Sequence, residues 1–460
     1  MEDAPNSTLT RPLAGAEVEL RIDRLAFGGN GVGRLDGYVV FVPGGLPGDR
    51  VRAQVVKRRK TYAEGRLLDV LEPSPDRITP RAAHPGAPWQ VLPYERQLAE
   101  KESQVRDALT RIGRFESPPV EPIVPAAEPW RYRNKVEYSF GTADDGRLVL
   151  GFHRPGRWDV IDPVEEDVLA SQRVDEVRRR VETWCREQGL PAWDRETHAG
   201  LLRNLVVREG RRTGQLQVRI VTSPGPFPAA AFAAAVPAEG VLWTRAEAGG
   251  ESTRGGETDL LAGDERLEEE IMGLRLRISP DAFFQTNTEM AERLYRVAGD
   301  LAGLRGGERV FDLYSGIGTI AMALALRAGQ VWGIELVEAA VEDARAGAGR
   351  NGLTNLTFVA GDVRKALRPL VEQAGRPDVA VVDPPRAGLS PKIVRRLLEA
   401  EPQRIVYVSC NPTTLAPNAR QMVDAGYELR TVRPVDMFPQ TPHIECVALL
   451  ERGGMARLVP

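Results

Sequence analysis

The period of apolar positions changes along the chain, and the changes mark its parts. From Glu17 to about Leu71, short alternating runs (Val18–Ile22, Tyr38–Val42, Val51–Val56, Ala63–Val70) are separated by Gly28-Gly-Asn-Gly-Val-Gly33 and Pro43–Gly48. Short, evenly spaced runs of period two predict a small β-barrel of the oligonucleotide-binding kind. Pro73, Pro75, Pro80, Pro85 and Pro88 mark a linker. Tyr94 to Ile112 follows a helical period, with Leu98, Val105, Leu109 and Ile112 on its apolar side. From Trp130 to about Ile278 the pattern is mixed. Strands are predicted at Lys135–Phe140, Leu148–Phe152, Asn204–Glu209 and Gln215–Thr222, with a charged helix near Val174–Arg186. An Ala/Pro stretch (Pro224–Glu239) and a polar, Gly-rich loop (Ala246–Glu257) complete it.

From Ser279 onward strands and helices alternate, as in a doubly wound sheet. Helices are predicted at Met290–Ala302 and Gly318–Ala328, and strands at Arg309–Leu313, Val331–Glu335, Leu356–Val359, Val379–Asp383 and Arg404–Ser409. The last run, Ile405 to Val408, reads as a buried strand of a parallel sheet. Asn411-Pro412 turns the chain there, because proline lacks an amide proton and restricts its predecessor. Cys410 is therefore expected at the carboxyl end of a strand, where open α/β sheets bind ligands.

Composition narrows the classes. The 460 residues are 42% hydrophobic and 27% charged, ordinary for a globular protein of two to four domains. No apolar run is long enough to span a bilayer, and Met1-Glu-Asp-Ala-Pro lacks the basic and apolar regions of a signal peptide. Three cysteines (Cys185, Cys410, Cys446) make no disulfide framework and, with four scattered histidines, argue against a structural zinc site. A cytoplasmic protein without a membrane partner or bound metal, working as a monomer, is the expectation. At a net charge of −3, a nucleic-acid partner must be met by local patches. Lys57, Arg58, Arg59 and Lys60, followed by Tyr62, offer backbone charge plus a stacking ring, although a solvated hairpin tip would look the same. Arg131-Tyr-Arg-Asn-Lys135 adds Arg133 and Lys135; for it, a charged start to a strand is the stronger reading from residues alone.

Candidate chemistry lies at strand ends. Asp312-Leu-Tyr-Ser-Gly-Ile-Gly-Thr319 leaves a strand and opens a helix, where glycines let backbone approach a ligand. Glu335, 23 residues on, sits where an acid commonly holds ribose hydroxyls. The dinucleotide fingerprint fails: Ala321 replaces its third glycine, and Asp312 would repel a pyrophosphate. A cationic, phosphate-free ligand such as S-adenosylmethionine fits better, with Asp362 suited to an adenine amine. Asp383-Pro-Pro-Arg-Ala-Gly388 carries Arg386 where amino methyltransferases place a stacking aromatic.

Phe283-Phe-Gln-Thr-Asn287, Asp312–Thr319, Asp383–Gly388, Val408-Ser-Cys-Asn-Pro412 and Asp436-Met-Phe-Pro…His443-Ile-Glu445 together resemble the RNA uracil-C5 methyltransferase family over nearly the whole chain. Tyr132–Lys135 belongs to the match, and the amino-terminal segment resembles the RNA-binding TRAM domain. The resemblance implies an α/β architecture: a disordered leader (1–14), a TRAM-like barrel (15–73), a mixed central domain (74–93 and 127–279) and a Rossmann-like class I methyltransferase domain (94–126 and 280–460). It implies methyl transfer from S-adenosylmethionine to C5 of a uridine in RNA, in 23S rRNA because the barrel is present. The alternatives are the T-loop uridine of tRNA and a non-catalytic RNA-binding or ribosome-assembly protein. By the same resemblance Cys410 is the nucleophile, Glu445 the general base, and Asp383 lies near the nucleophile and the target uracil. Gln285, Tyr314, Gly316, Glu335 and Asp362, with Asp383, contact the cofactor. His443, Cys185 and Cys446 are expected to be structural. Many relatives carry an iron–sulfur cluster before a Trp-Gln-x-Leu-x-Tyr sequence. Here Trp89–Tyr94 is kept, but His84-Pro-Gly-Ala87 precedes it and Asp167 falls near the fourth ligand position, so no cluster is expected.

Overall fold

The computed structural model describes residues 11–246, 253 and 255–453. Residues 1–10 of the expected leader, and most of the loop expected at 246–257, lie outside them. The described chain forms two compact units, one of residues 11–81, 87–104 and 438–443, the other of 82–86, 105–437 and 444–453.

In the first unit, β1 (Glu17–Leu25), β2 (Gly31–Leu35), β3 (Tyr38–Val42), β4 (Arg50–Arg58) and β5 (Tyr62–Glu72) close a barrel in the order β1-β2-β3-β5-β4. The alternation read in the sequence fills it: Leu20, Ile22, Val40, Val42, Val51, Ala53, Val55 and Ala63 point inward. Gly29 shows that the glycine-rich turn is built for packing. Its φ is +89°, and a Cβ there would lie 2.8 Å from Pro442 Cβ and 2.9 Å from Trp89 Nε1. Trp89 itself is buried with Leu25, Leu46 and Leu92.

Helix α1 (Tyr94–Arg111) forms as its period predicts, and Val105, Ala108 and Leu109 in its second half join the core of the second unit. Ile112, expected on the apolar side, lies beyond the last turn and is 46% exposed. The central sheet is larger than its sequence pattern. To β6 (Lys135–Thr142), β7 (Leu148–Arg154), α2 (Gln172–Glu187), β9 (Leu202–Glu209) and β10 (Leu216–Thr222) it adds β8 (Arg157–Pro163), β11 (Gly240–Arg245) and β12 (Glu257–Gly263), in the order β12-β11-β10-β9-β6-β7-β8. The Ala/Pro stretch contains a short helix, α3 (Ala229–Ala235), because Phe232 anchors it in the core under α2. A hairpin, β13 (Leu267–Ile271) and β14 (Leu274–Ile278), follows.

The methyltransferase-like part alternates α4 (Thr288–Ala302), β15 (Arg309–Leu313), α5 (Thr319–Ala325), β16 (Gln330–Glu335), α6 (Glu338–Arg350), β17 (Leu356–Ala360), α7 (Val363–Ala374), β18 (Val379–Val382), α8 (Pro391–Glu399), β19 (Arg404–Ser409), α9 (Pro412–Asp424), β20 (Tyr427–Val435) and β21 (Glu445–Arg452). The sheet order is β17-β16-β15-β18-β19-β21-β20. One expectation changes here. β19 pairs in parallel with β18 but antiparallel with β21, so the sheet is mixed. Its near-continuous apolar run still follows from burial on both faces. The antiparallel partner has a chemical consequence, because it brings the end of the chain back to the end of β19.

Candidate active site

Four strand ends meet in the cleft of this sheet. β19 stops at Ser409, whose hydroxyl accepts from Asn411 N at 3.2 Å and donates to Asn411 O at 3.1 Å. Asn411 caps α9, its side chain accepting from Thr413 N at 3.0 Å, with Pro412 in the first turn. Cys410 is thus held between a strand end and a helix amino terminus, in a partly exposed position. Ser409 pairs with Cys446 across the antiparallel ladder, so the next step of the register sets Cys410 opposite Glu445. Asp383 follows β18, its N–H reaching Leu313 O at 3.3 Å. Asp312 is the fourth residue of β15 and fully buried.

The electrostatics are those of acids crowded into a desolvated cleft. Burial, with Asp383 nearby, pushes Glu445 well above the usual carboxylate range. Asp383 is pushed up to about 7 by burial. Burial and the charge of Asp383 push Asp312 up to about 8, and neither of its oxygens makes a hydrogen bond of good geometry. The Cys410 thiol is pushed up to about 11 by burial and by Glu445 and Asp383. Arg386 opposes this, drawing both Cys410 and Glu445 down. Its backbone carbonyl accepts from Asn411 Nδ2 at 3.1 Å and Thr414 Oγ1 at 3.4 Å, which ties its loop to that of Cys410. Arg386 had no role in the sequence reading beyond excluding a class; the signal available was its place three residues after the strand-end aspartate.

A second group surrounds the glycine loop. Tyr314 adopts φ +70°, unusual for a residue with a Cβ and a conformation that clusters at ligand sites. Gly316 has φ +57° and nothing within 4 Å of where a Cβ would stand, so its backbone is open to close approach. Glu335 accepts from Gly316 N at 3.0 Å and from Val337 N at 2.9 Å, which fixes its carboxylate beneath the loop. Beside it in the chain, Leu336 is an exposed apolar side chain, 68% accessible. Asp362 caps α7 and is ion-paired by Arg364, whose hydrogen bonds hold it down at about 2. An adenine amine would share that carboxylate with Arg364. Gln285 is buried in the segment leading to α4. From α4, Tyr295 reaches Thr319 Oγ1 at 3.2 Å, a contact with the start of α5 that no sequence pattern announces.

The expected RNA contacts divide. Lys57, Arg58, Arg59 and Lys60 form the exposed tip of the β4–β5 hairpin. Tyr62 there meets Phe41 edge-on at 5.4 Å, and Lys57 lies 3.8 Å from the Glu64 carboxylate. Arg133 and Lys135 sit deeper. Lys135 is 14% exposed and ion-paired with Glu137, and Arg133 Nε is buried. Where the cluster-bearing pattern departs, His84 and Asp167 meet at 3.0 Å, both side chains about 1% exposed. Asp167 also accepts from Tyr138 Oη at 2.7 Å, Leu169 N at 2.9 Å and Ala170 N at 3.0 Å. Among the described residues, no three His, Cys, Asp or Glu side chains gather as metal ligands. No helix among them is long and apolar enough to cross a membrane.

Comparison with known proteins agrees with this geometry. The profile of the tRNA (uracil-5-)-methyltransferase family matches residues 264–453, and that of the TRAM domain matches 13–68. An RNA methyltransferase of Halalkalibacterium halodurans is 39% identical over 94% of this chain and 96% of its own. One of Nitratidesulfovibrio vulgaris is 41% identical over 95% and 96%. Among solved structures, the Pyrococcus abyssi tRNA (uracil-54, C5)-methyltransferase in complex with S-adenosyl-L-homocysteine superposes with a TM-score of 0.78 at 30% identity, covering 94% of this chain and 99% of that one. With the strand-end acids, the cysteine and the barrel in place, the chain belongs to the RNA uracil-C5 methyltransferase family.

Proposed function

We propose that the chain transfers a methyl group from S-adenosylmethionine to C5 of a uridine in RNA through a covalent adduct between Cys410 and C6. The observation that carries this reading is the register that sets Cys410 opposite Glu445, with Asp383 at the adjacent strand end. The cofactor fits on physical grounds. Asp312 is a fully buried carboxylate with no hydrogen bond of good geometry, at the strand end below an open glycine loop, and it suits a positively charged ligand. Glu335 would take the ribose hydroxyls, Leu336 the adenine face, and Gln285, Tyr314, Gly316 and Asp362 the remainder of the contact. When bound, S-adenosylmethionine supplies an electrophilic methyl group on a positive sulfur.

The side chains act around that methyl. The Cys410 thiol must lose its proton before it adds to C6; burial opposes this, and Arg386 with the α9 amino terminus favours it. Thiolate addition turns C5 into an enolate carbon able to attack the methyl group, which is covalent catalysis. The carboxylate form of Glu445, which Arg386 favours against burial, then removes the C5 proton, and the C6–sulfur bond breaks to release the methylated base and the thiolate. Asp383, pushed up to about 7, can hold a proton facing the uracil near neutral pH.

For the RNA, 23S rRNA remains the first reading, with the basic hairpin tip of the barrel as grip. The T-loop uridine of tRNA is the second. It is favoured by the Pyrococcus abyssi structure, which is named for tRNA and is matched over 99% of its length, so a barrel alone does not point to the ribosome. The test is 5-fluorouridine-substituted 23S fragments and tRNA transcripts with S-adenosylmethionine. Fluorine at C5 cannot leave as a proton does, so the adduct should survive denaturing electrophoresis. It should vanish in Cys410→Ala, and the RNA that traps names the substrate. Binding of both RNAs with no adduct would leave the non-catalytic binder as the better account.

A further inference from the structure

Two buried arginines of the central sheet, and an asparagine just before its β6, are spent on one short segment outside it. Arg208 on β9 donates to Ala282 O at 2.6 Å and to Ser279 O at 3.4 Å. Arg219 on β10 donates to the Asp281 carboxylate at 2.6 Å. Asn134, just before β6, donates through Nδ2 to Gln285 O and to Thr288 Oγ1, both at 2.8 Å, and its backbone N–H reaches Thr286 O at 2.9 Å. Arg208, Arg219 and Asn134 are 3%, 2% and 4% exposed, whereas the Asp281 side chain is 50% exposed. Arg219 also feels the charge of Glu137 on β6, yet burying a guanidinium against carboxylates is a poor way to hold a sheet together, since an apolar residue of like volume would serve stability better. The arrangement makes sense as geometry for the segment. At its end Asn287 caps α4 and donates to Met437 O at 2.9 Å, and Tyr295 of α4 reaches the start of α5.

We propose that Asn134, Arg208 and Arg219 are positioning residues, which fix the backbone from Ser279 to Thr288 so that Gln285 stands at the cofactor end of the methyltransferase sheet. The proposal rests on the reading of that end as the S-adenosylmethionine site. A misplaced Gln285 weakens cofactor binding without touching the reacting groups, so the effect falls on the cofactor and spares Cys410.

Asp281→Asn removes the charge from the solvent-exposed side of the clamp, and Arg219→Met removes it from the buried side. Titration calorimetry of the full chain with S-adenosylhomocysteine should show Kd raised about 10-fold in both, the scale of a lost charge-assisted hydrogen bond. KM for S-adenosylmethionine should rise with it while kcat stays within about twofold, and the thermal midpoint of Asp281→Asn should fall by only a few degrees, because Glu137 still faces the buried Arg219. Should Arg219→Met fail to fold, Asp281→Asn decides alone. Cofactor affinity equal to wild type in a folded Asp281→Asn protein overturns the clamp, as does a loss of kcat and affinity that merely tracks a lower midpoint. Wild-type protein that does not bind S-adenosylhomocysteine overturns the cofactor reading itself, a different result from a clamp that does nothing.

Discussion

Asp312→Asn should make the protein more stable and less able to bind its cofactor, and the gain should depend on pH. The folded carboxyl is pushed up from 3.8 to about 8 by burial and by Asp383. Below about pH 3 both the folded and the unfolded chain hold that proton, and the site contributes nothing. As pH rises through 3.8 the unfolded chain releases its proton while the folded chain keeps it, so stability falls until the folded carboxyl ionises near pH 8. Between pH 5 and pH 8.5 this linkage removes up to about 4 kcal/mol. An asparagine has no proton to lose, so the variant should gain about 1.5 kcal/mol at pH 5 and several degrees more in thermal midpoint at pH 8.5. Differential scanning fluorimetry at the two pH values, with and without S-adenosylmethionine, reads both halves of the claim. The stabilisation that the cationic ligand gives wild type at pH 8.5 should largely disappear in the variant. Equal midpoint changes at the two pH values, or a variant destabilised at pH 8.5, would refute the reasoning that Asp312 is a strained acid kept for a cation.

The remaining expectations concern the reacting groups and the buried His84–Asp167 pair. Glu445→Gln replaces a carboxyl already displaced towards its neutral form, so the fold should hold. One methyl should still be transferred per enzyme, and turnover should fall by roughly 10²- to 10⁴-fold as the C5-methylated adduct accumulates on Cys410, visible as a denaturation-resistant RNA–protein band. Release of unmodified RNA at the wild-type rate would remove Glu445 from the mechanism. His84→Ala should lower stability by about 2–4 kcal/mol, because the buried Asp167 loses one of its donors. Burial pushes Asp167 up, but the hydrogen bonds from His84 and Tyr138 outweigh it and hold the acid well below its usual range. That stability is present above the unfolded pKa and fades as pH falls through the folded one, so the gap between wild type and variant should narrow in strong acid. Chelators should leave the wild-type midpoint unchanged, and a chelator-sensitive midpoint would contradict a metal-free knot.

Much of the site could be read from local sequence because its elements are local. Asp312, Gly316, Glu335 and Asp383 each close or follow a strand whose apolar run is complete in itself, and β15 and β19 have the limits that their runs predicted. The barrel was legible for the same reason: alternation repeats within each strand, and closure needs only neighbours. What stayed hidden depends on partners far along the chain. Ile112 has the right period but stands past the turn that packs. Strands β8, β11 and β12 have weak alternation and become strands because neighbours supply their hydrogen bonds. The Ala/Pro stretch forms α3 only because Phe232 finds the core.

The sequence by itself determined the residue types and the strand-end positions, since both follow from side-chain chemistry and from periods of two and 3.6 residues. The tertiary structure alone decided which of these groups meet. The antiparallel return of β21 sets Glu445 against Cys410, and the packing of that cleft raises four titratable groups at once. The same long-range packing pairs His84 with Asp167, 83 residues apart, and Arg219 with Asp281, 62 apart. Desolvation and charge coupling depend on what surrounds a residue in space, and no period along the chain encodes that.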